Sequence, residues 1–280
     1  MNTATNEGPA SVTQTTVAGS LQSVTRAMRL MELVAAHRDG VSAKQAAQHL
    51  EMALPSAYHL LATLTGSGYL MHLAQDHRYV LGYRVRLLEQ GLVRQLTVPP
   101  LVAAAIRQVH KDADAAAYYA VYRGVDVVVA HVVDSERRPR VQVLDVGFHE
   151  ATHATAFGKV MLAAMDPTRR SRYLDGAGMR QVTTRSITDR AELEAHLAHV
   201  RESSIALEIG EFQDGLSCLA SPVRSSAGVV VGSVAISLPS AEFTKRRWLV
   251  ERAVRHGAMT VTRATNASVR PVHPPPGESP

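Results

Sequence analysis

The 280-residue chain holds one cysteine, Cys218, and one tryptophan. A single thiol excludes an intrachain disulfide and suits the cytoplasm. Lysine is nearly as scarce: Lys44, Lys111, Lys159 and Lys245 are the only ones, so arginine carries the net charge of +5. That mild positive balance is compatible with an anionic partner. The longest apolar runs, such as Val125–Val133, are broken by Asp or His and are too short to cross a bilayer, so no membrane partner is expected. There is no repeat of fixed period, no Gly-x-Ser-x-Gly, no phosphate loop and no dinucleotide fingerprint. Residues 1–20 lack the basic start and apolar core of a secretory signal, and their Thr, Ser, Gly and Asn predict a disordered tail. Residues 265–280 include PVHPPPGESP, a proline-rich stretch that predicts a second tail.

What is present begins with three helical patterns. Ser23 is placed to cap a helix over 24–37, with Val24, Ala27, Met28, Met31, Leu33 and Val34 as its apolar stripe. Gly40 stops it, and Ser42 caps the shorter AKQAAQHL, whose Ala46, Ala47 and Leu50 allow close packing. In LPSAYHLLATLTGSGYL, Pro55 falls in the first turn of a third helix, and Gly66 and Gly68 end it. YLMHL and RYVLG, joined by Ala74–His77, then read as a β-hairpin. Three helices and a hairpin make a winged helix-turn-helix; the bland alternative is a small helical domain with no nucleic-acid role.

SVTRAMRLMELVA, the YHLLATL…GYL junction and RYVLGYR together resemble the N-terminal domain of IclR-type transcriptional regulators. The resemblance implies binding to a double-stranded DNA operator. Members of that family usually open the third helix with a Gly-Leu-Pro-Lys-Ser-Thr-like run and place Arg before the paired leucines. Here Glu51–Ser56 and His59 occupy those positions, so the helix is poor in charge. Ser56, Tyr58 and His59 remain as its reading groups, with Arg26, Arg29, Lys44, Arg78 and Arg84 as phosphate clamps from the surrounding elements. For each of those charges an ordinary solvated face is the competing interpretation.

Tyr83–Gln95 carries leucines and valines at helical spacing and predicts a linker helix that also packs on a partner subunit. Pro99-Pro100 opens another helix. Strands are expected at AAYYAVYR, VDVVVAHVVD and RVQVLDV, then helices over Thr155–Ala164, after Asp166-Pro167 and over Asp189–Glu202. Strands near IALEI, SCLASPVR and VVVGSVAISLP and a helix over Phe243–Ala264 complete an α+β sheet domain of the small-molecule sensor type. The expected organisation is therefore a tail (1–20), a winged helix-turn-helix domain (21–82), a linker helix (83–98), an effector domain (99–264) and a tail (265–280).

HATAFGKVMLA, TTRSITDRAELEAHLAHVRE, EIGEFQDGLSCLASPV and VVVGSVAISLPS are similar to the IclR effector domain in order and spacing. That resemblance implies a GAF-like fold and an acidic small-molecule effector held by backbone N–H groups of Ala156 and Phe157, where a helix starts. It also aligns Glu208, Cys218 and Ser237 with pocket positions. Ser233 and Ser237 share a strand face at period two, so both can line one cavity. Without the resemblance, a capped helix, a surface carboxylate and a core thiol are the plainer interpretations. A ligand-responsive regulator that works as a homodimer or tetramer follows, without cofactor or metal. His149-Glu150-Ala151-Thr152-His153 also matches H-E-x-x-H. A zinc-dependent hydrolase is the alternative, and it requires both histidines on one helical face. An effector-binding protein with weakened DNA affinity is a third possibility.

Overall fold

The computed structural model describes residues 21–268. They divide into two compact units, one ending at Arg94 and the other beginning at Gln95.

The first unit contains α1 (Gln22–Ala36), α2 (Ala43–His49), α3 (Leu54–Gly66), the hairpin β1 (Leu70–Leu73) with β2 (Arg78–Leu81), and α4 (Arg84–Gln95). Helix α1 starts two residues earlier than expected. Leu21 takes the N-cap position with no side-chain cap, so Ser23 is not the cap. The expected stripe is buried only in part: Leu33 and Val34, joined by Leu30, pack with Val41, Ala46, Leu50, Leu61 and Leu70, and Met31 packs on that cluster, while Val24 and Met28 stay 51% and 58% exposed. Spacing alone does not tell which part of the stripe is covered. Ser42 caps α2 in a full capping box with Gln45. Pro55 sits in the first turn of α3. The hairpin pairs Leu70 with Leu81 through Leu73 with Arg78.

A third short strand contact ties the wing to the helices. Val41 and Tyr79 exchange two backbone hydrogen bonds, 3.0 and 2.8 Å long. This approach needs glycine at position 40, where φ is +72° and a Cβ would lie 2.3 Å from the Tyr79 carbonyl oxygen. Helix α4 buries none of its side chains.

The second unit is built on an antiparallel sheet of order β4-β3-β7-β6-β5. Its elements are α5 (Pro100–Ala113), β3 (Ala116–Arg123), β4 (Asp126–Val133), α6 (Ala156–Ala164), α7 (Pro167–Ala177), α8 (Arg190–Ser203), β5 (Ala206–Ile209), β6 (Leu216–Arg224), β7 (Val230–Pro239) and α9 (Ser240–Ser268). Period-two alternation assigns the faces. Ala117, Tyr119, Leu219, Val234, Ile236 and Leu238 pack on α5 and α9. Ala116, Ala120, Ala206, Cys218, Ala220 and Ala235 pack on α6 and α8 with Phe157, Leu193 and Leu197. The second face is made of small side chains, which lets α6 lie close to the sheet.

Asp166 and Asp189 cap α7 and α8. The expected strand at RVQVLDV does not form. Residues 141–147 are turns held by local bonds, such as Leu144 N–H to the Val141 carbonyl (2.9 Å) and Val146 N–H to the Asp145 carboxylate (2.7 Å). Several of its amides are satisfied locally, Val141 N–H donates to the Tyr118 hydroxyl, and backbone bonding to the sheet comes at the end of the segment, where Gly147 and Phe148 bond to Val129 of edge strand β4. Helix α9 continues to Ser268, beyond the expected Ala264. The tail expected over 1–20, and 269–280 of the second, lie outside the described residues.

Two glycines provide an internal test of packing. A Cβ on Gly257 of α9 would lie 2.1 Å from Val109 Cγ2 of α5, while one on Gly176 of α7 would meet nothing within 4 Å. Gly257→Ala should therefore lower the unfolding free energy by roughly 1–3 kcal/mol. Gly176→Ala should raise it by up to about 1 kcal/mol. Denaturant titration of both variants measures the difference in sign.

Candidate functional site

On the outer side of α3, Ser56, His59, Ala62 and Thr63 are exposed, as the sequence pattern requires of a reading surface. None carries a fixed charge. Tyr58 is also exposed but lies to the flank, near Tyr79 of the wing, which stacks on His72 at 4.5 Å between ring centroids. Lys44 and Arg29 are exposed, and Arg26 is half-buried. Arg78 of the wing and Arg84 at the start of α4 have partners within the chain. Arg78 donates to the Gly40 carbonyl (2.9 Å), and Arg84 donates to the Ser67 carbonyl (3.0 Å) while lying over the Tyr69 ring. Ala62 and Thr63 were not singled out in the sequence, although Ser56 and His59 place them by helical spacing.

In the second unit, Ala156, Phe157, Glu208, Cys218, Ser233 and Ser237 are all buried. The sheet register aligns Glu208 with Cys218 and Cys218 with Ser237, so three strands contribute to one row. Tyr118 extends that row: its hydroxyl lies 2.9 Å from Ser237 Oγ and accepts the Val141 N–H. Burial pushes this phenol up to about 12. Ser233 lies four residues from Ser237 along β7, paired with Pro222 rather than Cys218, its Oγ 3.4 Å from the Ser221 carbonyl. Thr155 caps α6 through Gly158 N–H, which leaves the Ala156 and Phe157 N–H groups ahead of the first intrahelical bonds. Phe157 and Phe212 both meet Phe148 edge-to-face. Glu208 is no surface carboxylate; its exposure is 0%.

Glu208 belongs to a buried charged cluster. One carboxylate oxygen accepts the Glu211 and Phe212 N–H groups at 2.5 and 3.0 Å, and the other has no partner. Lys159, also fully buried, donates to Glu211 at 2.5 Å. Burial raises both carboxyls, and Lys159 opposes that rise at Glu211. Burial lowers the Lys159 ammonium, with Glu211 opposing. The Cys218 thiol is raised well above its usual range by burial and by Glu208. Lys159 and Glu211 were missed in the sequence. The one available signal was a lone Lys inside the apolar helix AFGKVMLAA.

The H-E-x-x-H segment does not have the zinc-enzyme form. Only Thr152–Ala154 are helical, as a single 3₁₀ turn after Ala151 at φ +46°. His149 is exposed and bonds the Gly147 carbonyl, whereas His153 is buried against the Arg180 carbonyl. Glu150 faces Arg180 at 3.4 Å. Among the described residues, no three His, Cys, Asp or Glu side chains converge on a metal position. The hydrolase alternative thus has no geometric basis.

A winged helix-turn-helix unit followed by a sheet unit with a buried polar row defines a two-part, ligand-responsive regulator. The comparisons with known proteins agree. The family described as "IclR helix-turn-helix domain" matches residues 23–73, and "Bacterial transcriptional regulator IclR C-terminal" matches 90–263. The chain is 30% identical to the glycerol operon regulatory protein of Streptomyces griseus over 226 residues, covering 80% of this chain and 87% of that one. It is 26% identical to the regulator KdgR of Escherichia coli K12, covering 85% and 90%. Among solved structures, Thermotoga maritima IclR superposes with a TM-score of 0.66 at 21% identity, covering 87% and 98%. An IclR homologue from Microbacterium hydrocarbonoxydans, complexed with 4-hydroxybenzoate, gives 0.65 at 20%, covering 86% and 99%. The chain belongs to the IclR family of bacterial transcriptional regulators, with a DNA-binding N-terminal unit and an effector-binding C-terminal unit.

His196 of α8 offers a test of the electrostatics around the cluster. Burial and the nearby Lys159 charge hold its imidazole down to about 4, against 6.5 unperturbed. The unfolded chain therefore binds more protons than the folded one across that window, and stability falls as pH drops from 6.5 toward about 4. Glu208 and Glu211 act in the opposite sense, since folding favours their protonated forms. His196→Gln should lose less stability than wild type between about pH 7 and about pH 5 in denaturant titrations.

Proposed function

We propose that this protein binds an operator as a homodimer or as a tetramer. A small organic acid seated at the start of α6 shifts that binding. The observation that carries the effector part is one buried face. On it, the Ala156 and Phe157 N–H groups offer an anion site, and Glu208, Cys218, Ser233 and Ser237 offer polar contacts in strand register. Glu208, with one carboxylate oxygen unpartnered, favours a ligand that also carries a hydroxyl. The 4-hydroxybenzoate bound to the Microbacterium homologue has both groups, which supports this chemistry. Two conformations of the second unit with different ligand affinity would alter the pairing of the reading heads.

In the DNA part, α3 enters the major groove with Ser56, Tyr58 and His59, while Arg26, Lys44 and Arg29 meet phosphates. Arg78 supports the wing more than the duplex, since its guanidinium already holds the Gly40 carbonyl. Self-association rests on apolar side chains left open to solvent on α4 and α1. Leu87, Leu88 and Leu92 are 59%, 59% and 47% exposed, and Val24 and Met28 are exposed too. We place the protein in the cytoplasm and assign it no reaction of its own. Relatives are named as regulators, and among the described residues no helix is long and apolar enough to cross a membrane.

Genome-wide mapping of bound sites, with thermal unfolding in the presence of 4-hydroxybenzoate and other small carboxylates, tests the whole reading. Discrete palindromic sites and a ligand-dependent rise in unfolding temperature are expected; neither appearing would reject it. On a mapped site, His59→Arg should tighten binding and steepen the slope of log affinity against log salt by about one. An unchanged slope removes α3 from phosphate contact. Leu87→Asp with Leu88→Asp should convert the oligomer to monomer in sedimentation experiments and weaken operator binding, with each monomer still folded.

A further inference from the structure

The proposed effector site is closed. Ala156, Phe157, Glu208, Cys218, Ser233 and Ser237 are all buried, so a ligand enters only if some segment moves. Residues 178–188 are the segment best placed to do so. They contain no helix or strand and are bounded by Gly178 at φ +71°. Their Met179, Val182 and Ile187 pack on the same cluster as Phe157, Phe212 and Cys218. What holds them is hydroxyl chemistry at two neighbouring carbonyls, those of Gly210 and Glu211. Thr183 Oγ1 donates to the Gly210 carbonyl at 2.7 Å and lies 3.2 Å from the Glu211 carbonyl. Ser186 Oγ donates to the Glu211 carbonyl at 2.8 Å and receives the Val182 and Thr183 N–H groups.

Every polar group of Glu211 but one thus has a separate task. Its carbonyl takes hydroxyls from the covering segment, and its N–H meets Glu208. Its carboxylate holds Lys159 of α6, the helix whose start offers the anion site. We propose that Glu211 is the positioning residue of the effector site, and that residues 178–188 form a latch which it joins to the ligand-facing groups. Ligand contacts with Glu208 or with the α6 start then reach the latch through two hydrogen bonds, one ion pair and no further side chain. This inference rests on the effector-site reading for its biological role, but its physical content is the closure itself.

Cys218, the chain's only cysteine, lies inside the closed site and reports on opening. The experiment measures the rate of Cys218 alkylation by N-ethylmaleimide in the full-length protein, with hydrogen exchange followed by mass spectrometry. Thr183→Val with Ser186→Ala removes the two hydroxyls and should raise the rate roughly tenfold or more, with faster exchange confined to 178–188 and 208–216. Ser186→Thr retains a hydroxyl and, in the wild-type Thr183 background, should keep the slow rate. Lys159→Met with Glu211→Leu replaces the buried pair by apolar groups, which avoids a stranded charge. It should also speed alkylation. Val254→Ala, on the far face of the sheet, controls for general destabilisation. Rates equal to wild type in the two double variants, or raised no more than in an equally destabilised Val254→Ala, overturn the proposal. Failure of every carboxylate to stabilise the wild-type protein would count against the effector reading instead and would leave these rates unchanged.

Discussion

A lysine without exposed surface persists only beside a counter-charge. In the second unit that requirement joins Lys159 to Glu211. Removing one partner of such a pair typically costs roughly 3–5 kcal/mol, because the other is left buried and uncompensated. The pair therefore fixes where α6 lies relative to the turn after β5. It also explains why the small-residue face of the sheet matters. Ala206, Ala220 and Ala235 let α6 come close, and Gly158 permits the same at the Thr152 carbonyl, where a Cβ would be only 2.1 Å away. Close approach then brings the Lys159 ammonium within reach of a carboxylate 52 positions along the chain.

Local rules in the sequence held in part. The expected caps Ser42 and Asp166 are present, and Thr155 and Asp189, expected as first helical residues, serve as caps too, but the Ser23 cap does not form because α1 begins at Gln22. The hairpin and the alternation in β3, β6 and β7 were legible too. Failures came where tertiary contacts decide. Helix α1 has an apolar stripe that is buried only in part, and only the rest of the fold chooses which part. RVQVLDV has strand composition, but its amides are met by its own turns and, at Val141, by the Tyr118 hydroxyl, and the edge of β4 receives only Gly147 and Phe148. Glu208 was legible as a site candidate through family resemblance, whereas Glu211 was not, because its partners lie on three separate segments.

The candidate reading surface is poor in charge in a consistent way. Helix α3 presents groups without fixed charge, and Arg78 of the wing and Arg84 at the start of α4 are engaged within the fold. On the proposed operator reading, charge for the phosphates falls to α1 and α2, at Arg26, Arg29 and Lys44. Such a surface would position itself on the backbone with few contacts and leave more of its discrimination to van der Waals fit and hydrogen bonding by Ser56, Tyr58 and His59.

The strand contact between Val41 and Tyr79 has a mechanical side. Because the loop before α2 is stitched to the hairpin by two backbone hydrogen bonds, the wing is held to the helices as well as following them in the chain. On the proposed operator, adjustment at the interface would then pass in part to the nucleic acid, whose bending and groove width vary with sequence. Base pairs that no side chain touches would in this way acquire a say in where the protein settles.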